Sequence, residues 1–217
     1  FSAIFAENAK STISNWRAHA RENDSDTPWA RLREVGNRYY VIKDRYTRQS
    51  NKGEKEELVE ELAFELLSAL DYGEFKEPIS VELSDELATP IHFEVQRANK
   101  TPLLWGLFAD GVDSENDLLN HSFKSLLYST DSKKDLDMTN EDLISKLFFS
   151  LDEPPRWVLL IGINQVVLLD RSKWNEKRYL LFELDDIFGR REETTLQAMS
   201  VLLHKDSLCP DEGASLL

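Results

Sequence analysis

The stretch from Arg156 to Arg191, RWVLLIGINQVVLLDRSKWNEKRYLLFELDDIFGRR, constrains the fold more than any other part of this chain. Two runs rich in aliphatic and β-branched residues, Trp157–Ile161 and Gln165–Leu169, flank Gly162-Ile163-Asn164, a short link in which Gly and Asn tolerate positive φ. After the polar break Arg171–Lys177, a third apolar run, Tyr179–Phe182, leads into the short segment Leu184–Phe188. The pattern predicts a central antiparallel hairpin with one neighbouring strand.

Upstream, the periodicity is helical. Ile4, Phe5, Ala9, Ile13, Trp16 and Ala20 form an apolar stripe over residues 2–22. Asp26 or Thr27, with Pro28 in the first turn, starts a second helix from Trp29 to about Tyr46, with Trp29, Leu32, Val35, Tyr39 and Ile42 on one side. Gly36 is expected to weaken or break it. Arg45–Gly53 reads as a polar, mobile link. Glu54–Leu70 is the clearest helix, with Leu58, Leu62, Leu66 and Ala69 on one face, an acidic first turn, and Gly73 as the expected left-handed residue beyond its end.

From Pro78 the period shortens to two. Ile79, Val81 and Leu83 define one half-buried strand, and Ile91, Phe93 and Val95 another over residues 91–97. After a turn at Arg97–Thr101, Pro102–Ala109 is apolar enough for a central strand. Asp110–Asp117 reads as an acidic loop, Leu118–Tyr128 and Asn140–Phe149 as helices, and Ser129–Thr139 as a charged linker between them. Residues 192–204 close the pattern as an amphipathic helix through Leu196, Met199, Leu202 and Leu203. The fold class is α+β (mixed α/β). The expected organisation is a helical, locally basic segment over 1–53 followed by a mixed α/β domain over 54–217.

Composition narrows the class further. With 217 residues, 41% hydrophobic and 30% charged, the chain is expected to fold as a globular protein. No run approaches the roughly 18 apolar residues that span a membrane, and FSAIFAENAK lacks the pattern of a signal peptide. A single cysteine, Cys209, excludes an internal disulfide and suits a reducing cytoplasm. The chain starts without Met and stops in mid-pattern at GASLL, which reads as a fragment of something longer. The net charge of −14 is uneven. Residues 1–53 carry ten Lys/Arg against six Asp/Glu, net +4, and the remainder sixteen against thirty-four, net −18. A whole-domain basic footprint for nucleic acid is therefore absent, although Arg31, Arg33 and Arg38 offer local footing for phosphates.

Motifs are scarce: there is no Gly-rich phosphate loop, HExxH, CxxC or GxSxG. His19, His92, His121 and His204 are scattered, which argues against a zinc site, so no metal ligand is assigned, and His92 reads as a packed or surface side chain. The candidates for acid chemistry are Glu57 or Glu60 on a helix, Glu82 on one strand, and Glu94 with Gln96 on the next, since metal-dependent nucleases gather carboxylates around Mg²⁺. The same alternation marks any solvent-facing side of a strand.

The hairpin followed by Trp174, the Tyr179-Leu180 strand, Ile187-Phe188 with Arg190-Arg191, and Leu208…Pro210…Gly213 together resemble a known arrangement. It is the region upstream of the catalytic domain in large bacterial N6-adenine DNA methyltransferases of the Eco57I-like, type IIG restriction–modification and phage-defence class. The resemblance is carried by residues 156–217, is looser over 54–130 and weakest over 1–53. It implies a PD-(D/E)xK-type nuclease-like sheet flanked by helices, with S-adenosylmethionine as cofactor of the parent chain and Mg²⁺ only in a nuclease. It also implies DNA as a partner through the parent protein, along with partner subunits. Leu103–Ala109 departs from the nuclease pattern, carrying neither acid nor Lys, and Glu94-x-Gln96 is a poor substitute. No NPPY-type methylation motif is present. The expectation is a non-cutting, nuclease-like N-terminal domain that helps position DNA or contacts subunits, inactive alone. The rivals are an acidic protein–protein interaction module without DNA contact, an active Mg²⁺-dependent endonuclease domain, and an acidic DNA mimic.

Overall fold

Side-chain caps set the first helices. In this computed structural model, which describes residues 3–73, 75–85, 87–109, 117–121, 128–129, 138–211 and 214–217, α1 spans Ala3–Glu22, and α2 spans Pro28–Arg48 with Thr27 accepting the Ala30 N–H. α3 (Lys52–Ala69) starts at Asn51, whose side chain accepts the Glu54 N–H. The expected mobile link at 45–53 is thus helix on both sides of a short connection.

The strands follow as β1 (Ile79–Ser84), β2 (Leu87–Ile91), β3 (Phe93–Gln96), β4 (Pro102–Phe108) and the two-residue β5 (Tyr128–Ser129). α4 (Asn140–Phe149) begins with a Thr139–Asp142 capping box. Then come β6 (Trp157–Ile161), β7 (Gln165–Asp170), α5 (Arg171–Trp174), β8 (Tyr179–Glu183), α6 (Leu184–Arg190), α7 (Glu193–Leu203) and α8 (Lys205–Leu208). The fold is α+β. No helix among the described residues is long and apolar enough to cross a membrane.

The strands form two sheets, β1-β2-β5 and β3-β4-β6-β7-β8. The expected hairpin is β6–β7, with Leu159 opposite Leu168, and β8 is its neighbour, with Val167 opposite Leu181. β4 and β6 are parallel, Leu104 beside Trp157, and α4 lies between them in sequence. Every residue of β6, and all but the last of β7, is buried. A strand so apolar needs cover on both sides. One face carries Leu104, Leu159 and Leu168 against α2, α3 and α7. The other carries Val158, Leu160 and Val167 against α4, Leu118, Leu119 and Trp174. Trp29, Leu32, Val35, Tyr39 and Ile42 of α2 belong to the same apolar layer as α3 and the sheet, across the boundary expected at residue 53. Among the described side chains of α1 none is buried; Ile13 and Trp16 rest on the core from outside.

Several local expectations are corrected. The strand expected over 91–97 is two: β2 ends at Ile91 in one sheet and β3 begins at Phe93 in the other, and between them the N–H of His92 donates to Gly106 O. β2 begins four residues earlier than Ile91, with Pro90 inside it opposite Ser80. The left-handed residue after α3 is Asp71, φ 62°, rather than Gly73. Neither Gly162 nor Asn164 lies in the left-handed region; a Cβ on Gly162 would lie 2.9 Å from Leu118 Cδ2, so close packing is what its hydrogen serves. Of the region expected as acidic loop, helix and charged linker, residues 110–116, 122–127 and 130–137 lie outside the described residues, as does Gly213. Within that region Leu118–Asn120 is a 3₁₀ turn, and Tyr128, expected at a helix end, pairs with Ala88.

Gly36 does not break α2. It admits Phe188 of α6: a Cβ there would stand 2.7 Å from Phe188 Cδ1. Tyr39 Oη donates to Asp185 Oδ1 at 3.2 Å, Tyr40 Oη to Asp185 O, and Lys43 pairs with Asp185, so three successive contacts pin α6 onto α2. Gly36→Ala should therefore destabilise the fold by about 1–3 kcal/mol through overpacking, against the gain of about 1 kcal/mol that helix propensity alone predicts. Urea unfolding decides the sign; a more stable variant refutes the packing account.

Candidate functional site

The β3–β4 pair carries the residues on which the resemblance places nuclease chemistry. Alternation sends Phe93 and Val95 into the layer under α3 and turns Glu94 to the opposite face, across from Trp105. A buried indole N–H needs an acceptor, and Trp105 Nε1 donates to Glu94 Oε2 at 2.7 Å. Gln96 Nε2 donates to Glu94 Oε1 at 2.6 Å. Both carboxylate oxygens are thus engaged, Oε2 across the strand pair and Oε1 within β3.

Beside this strand lies a hollow of about 440 Å³, edged by Lys76, Glu77, His92, Gln96 and Lys205. His92 stacks on Phe108, ring centroids 4.7 Å apart and planes 19° from parallel, and its Nδ1 accepts the Phe108 N–H at 3.2 Å. Burial pushes its pKa down from 6.5 to about 4. The packed-residue reading of His92 fits this setting, whereas its place at the junction of the two sheets had no signal in the sequence.

The other candidates lie elsewhere. Glu82 is exposed on β1, opposite Ala88 in the three-stranded sheet. Glu57 is exposed on α3, at a groove shared with Arg45, Arg48, Glu54 and Glu61 between the C-terminal end of α2 and the N-terminal end of α3, and Glu60 is half-buried on the same helix. Only Glu94 and Gln96 come together. No group of three His, Cys, Asp or Glu among the described residues is placed to hold a metal ion. Mg²⁺ prefers several oxygen ligands around a near-octahedral site, and a lone carboxylate tied to an indole and an amide does not supply them. Among the described residues, the β3–β4 pair does not fit the metal that a nuclease would need.

The three candidate DNA-binding arginines lie on α2 without forming one patch. Arg31 and Arg38, two turns apart, both turn towards α3: Arg31 Nη2 pairs with Asp71 Oδ2 at 2.9 Å and Arg38 Nη1 with Glu65 Oε1 at 2.9 Å. Arg33 points the other way, 3.9 Å from Glu193 of α7, which also pairs with Arg17 at 3.3 Å. Each guanidinium already faces a carboxylate of its own chain.

His92 gives the region a titration signature. In the unfolded chain it takes up a proton near pH 6.5, in the folded chain only near pH 4, so the unfolded state binds more protons between these values. Stability is therefore complete above about pH 6.5 and drains as pH falls towards 4, by on the order of 2 kcal/mol at this residue. His92→Asn, whose Oδ1 can accept the Phe108 N–H, should flatten that part of the stability–pH curve. Denaturant midpoints measured from neutrality down to pH 4 in both proteins test it, and parallel curves count against the assignment. Comparisons of the chain with protein-family models, with curated proteins and with solved structures find no match in any of the three.

Proposed function

We propose that this chain is the N-terminal, nuclease-like and non-cutting domain of a DNA adenine methyltransferase of a restriction–modification or phage-defence system. Its part is to contact subunits or neighbouring domains, or to help position DNA. S-adenosylmethionine and the methylation chemistry belong, on this reading, to the parent chain.

The observation that carries it is the β3–β4 pair. On this reading a helix over 54–70 is followed by strands at 79–84, 91–97 and 102–109; the chain has α3 and then β1 to β4, with the middle strand divided between the two sheets. Yet β4, which should carry an acid and a Lys, reads Pro102-Leu103-Leu104-Trp105-Gly106-Leu107-Phe108 and spends its side chains on the two apolar layers. The neighbouring carboxylate, Glu94, serves Trp105. Among the described residues, Glu94 is the one acid on this strand pair, which is what supports the non-cutting reading.

A second reading, an acidic interaction module with no DNA contact, draws support from the arginine pairs on α2. With Arg31, Arg33 and Arg38 each facing a carboxylate, phosphate binding has to compete with Asp71, Glu193 and Glu65. The net −18 of residues 54–217 repels DNA within about 8–10 Å at physiological salt.

Two assays separate these readings. A plasmid-nicking assay with Mg²⁺ or Mn²⁺ should give no metal-dependent cleavage; cleavage that Glu94→Ala abolishes overturns the non-cutting claim. In a gel-shift titration, affinity that falls with salt and weakens when Arg31, Arg33 and Arg38 are reversed in charge supports DNA positioning. Absence of binding at low salt supports the interaction module.

A further inference from the structure

One end of the five-stranded sheet collects cations. β3 ends there, β4 and β6 begin there and β7 ends there: Gln96 pairs with Pro102, Leu104 with Trp157, and Trp157 with Asp170. The residues just past these strand ends are basic. Arg97 follows β3, Lys100 lies in the turn into β4, Arg156 precedes β6, and Arg171 follows β7, with Lys173 two residues on. Two of them continue the backbone ladder: the N–H of Arg156 donates to Leu103 O at 3.0 Å, and that of Arg171 to Arg156 O at 2.9 Å. A strand spacing of about 4.8 Å puts β3 and β7 roughly 14 Å apart, the length over which one strand of a duplex presents about four phosphates.

These side chains are not spent on the protein's own acids. Among the described residues no carboxylate pairs with Arg97, Lys100, Arg171 or Lys173. Arg97 Nη1 donates to two neutral oxygens, Thr101 Oγ1 at 3.3 Å and Pro102 O. Arg156 has Asp170 only at 3.7 Å, and Lys205 of α8 has the exposed Asp211 only at 3.7 Å, whereas Arg31 and Arg38 of α2 hold their carboxylates at 2.9 Å. Arg97, Arg156 and Lys205 line one hollow of about 700 Å³ together with Cys209. Burial pushes the Cys209 thiol up to about 12, against the pull of Lys205, Arg97 and Arg156, so charges from three elements converge on one point. The acids at this end are fewer. Asp170 accepts the Ser172 N–H, Asp211 is exposed, and Asp152 and Glu153 stand on the loop before β6. Lys177 and Arg178, just before β8, are already paired with Glu141 and Glu176.

We propose that this end of the sheet is a footing for the phosphate backbone of duplex DNA, with Arg97, Arg156 and Lys205 around the hollow and Lys100, Arg171 and Lys173 extending it. A phosphate engages these groups without first displacing a close carboxylate, as it must at Arg31 and Arg38. The net −18 of residues 54–217 is screened over about 8–10 Å, so the nearest cations dominate the field that a phosphate meets here. The inference rests on the DNA-positioning part of the proposed function and moves the contact from α2 to the sheet end.

The test is a fluorescence-anisotropy titration of the whole chain with a short labelled DNA duplex over a range of salt concentrations. Expected is saturable binding whose logarithm falls linearly with that of the salt concentration. Arg97→Gln combined with Arg171→Gln should lower affinity about tenfold at low salt and flatten that slope by about two, one for each lost phosphate contact. Lys100→Gln combined with Lys173→Gln, both at exposed positions, should do the same and stands in should the first pair fail to fold. Arg33→Gln combined with Arg38→Gln should leave the slope unchanged. Absence of binding at low salt overturns the inference together with DNA positioning and leaves the interaction module. Binding that only the α2 pair weakens overturns the inference while DNA positioning stands. Displacement of the duplex by poly-L-glutamate at equal charge assigns the row to an acidic protein, and likewise overturns it.

Discussion

The pairing of β6 with β7 is the constraint from which the architecture follows. Ten of the eleven residues in these strands are buried, so neither face of the hairpin tolerates water. One helical layer is not enough. α2, α3 and α7 cover Leu159 and Leu168, while α4 with Leu118, Leu119 and Trp174 covers Leu160 and Val167. Even the polar atoms of the second layer are arranged for this purpose: Trp174 Nε1 donates to Ser145 Oγ of α4 at 2.9 Å, which lets a large indole be buried without an orphaned donor.

The elements legible in the sequence are those whose signal is local. β6, β7 and β8 declare themselves by apolar runs, and α2 by Thr27-Pro28. Illegible were the features set by a partner distant in sequence. β2 is an exception of another kind: its partner β1 is adjacent in sequence, but a proline within a strand, here Pro90, normally argues against one. Gly36 looked like a weak point, yet its missing Cβ is the seat of Phe188, far along the chain. Gly73 looked like the residue that ends α3, yet Asp71 adopts the left-handed conformation with its carboxylate held by Arg31 and His204.

The same divide runs through the candidate residues. Glu94 and Gln96 could be read as neighbours from their i, i+2 spacing, but nothing in the sequence said that Trp105 would claim the carboxylate. Glu57, Glu60 and Glu82 have the right chemistry in separate places. The arginines of α2 looked available to phosphates because their partners, Asp71, Glu65 and Glu193, belong to elements that only the fold brings near. Charge that seemed surplus near the start of the chain is spent locally, tying α2 to α3 and α7.

The parallel register of β4 and β6 sets a limit on how the chain may be divided. Leu104 sits beside Trp157, and everything between them must be traversed before the two strands can meet. Once they meet, β6 still has an open side until β7 arrives, and both of its faces are greasy. A version of the protein cut anywhere between Ile161 and Glu183 would therefore present a hydrophobic strand with unpaired amides to its neighbours, the geometry from which intermolecular sheet growth begins.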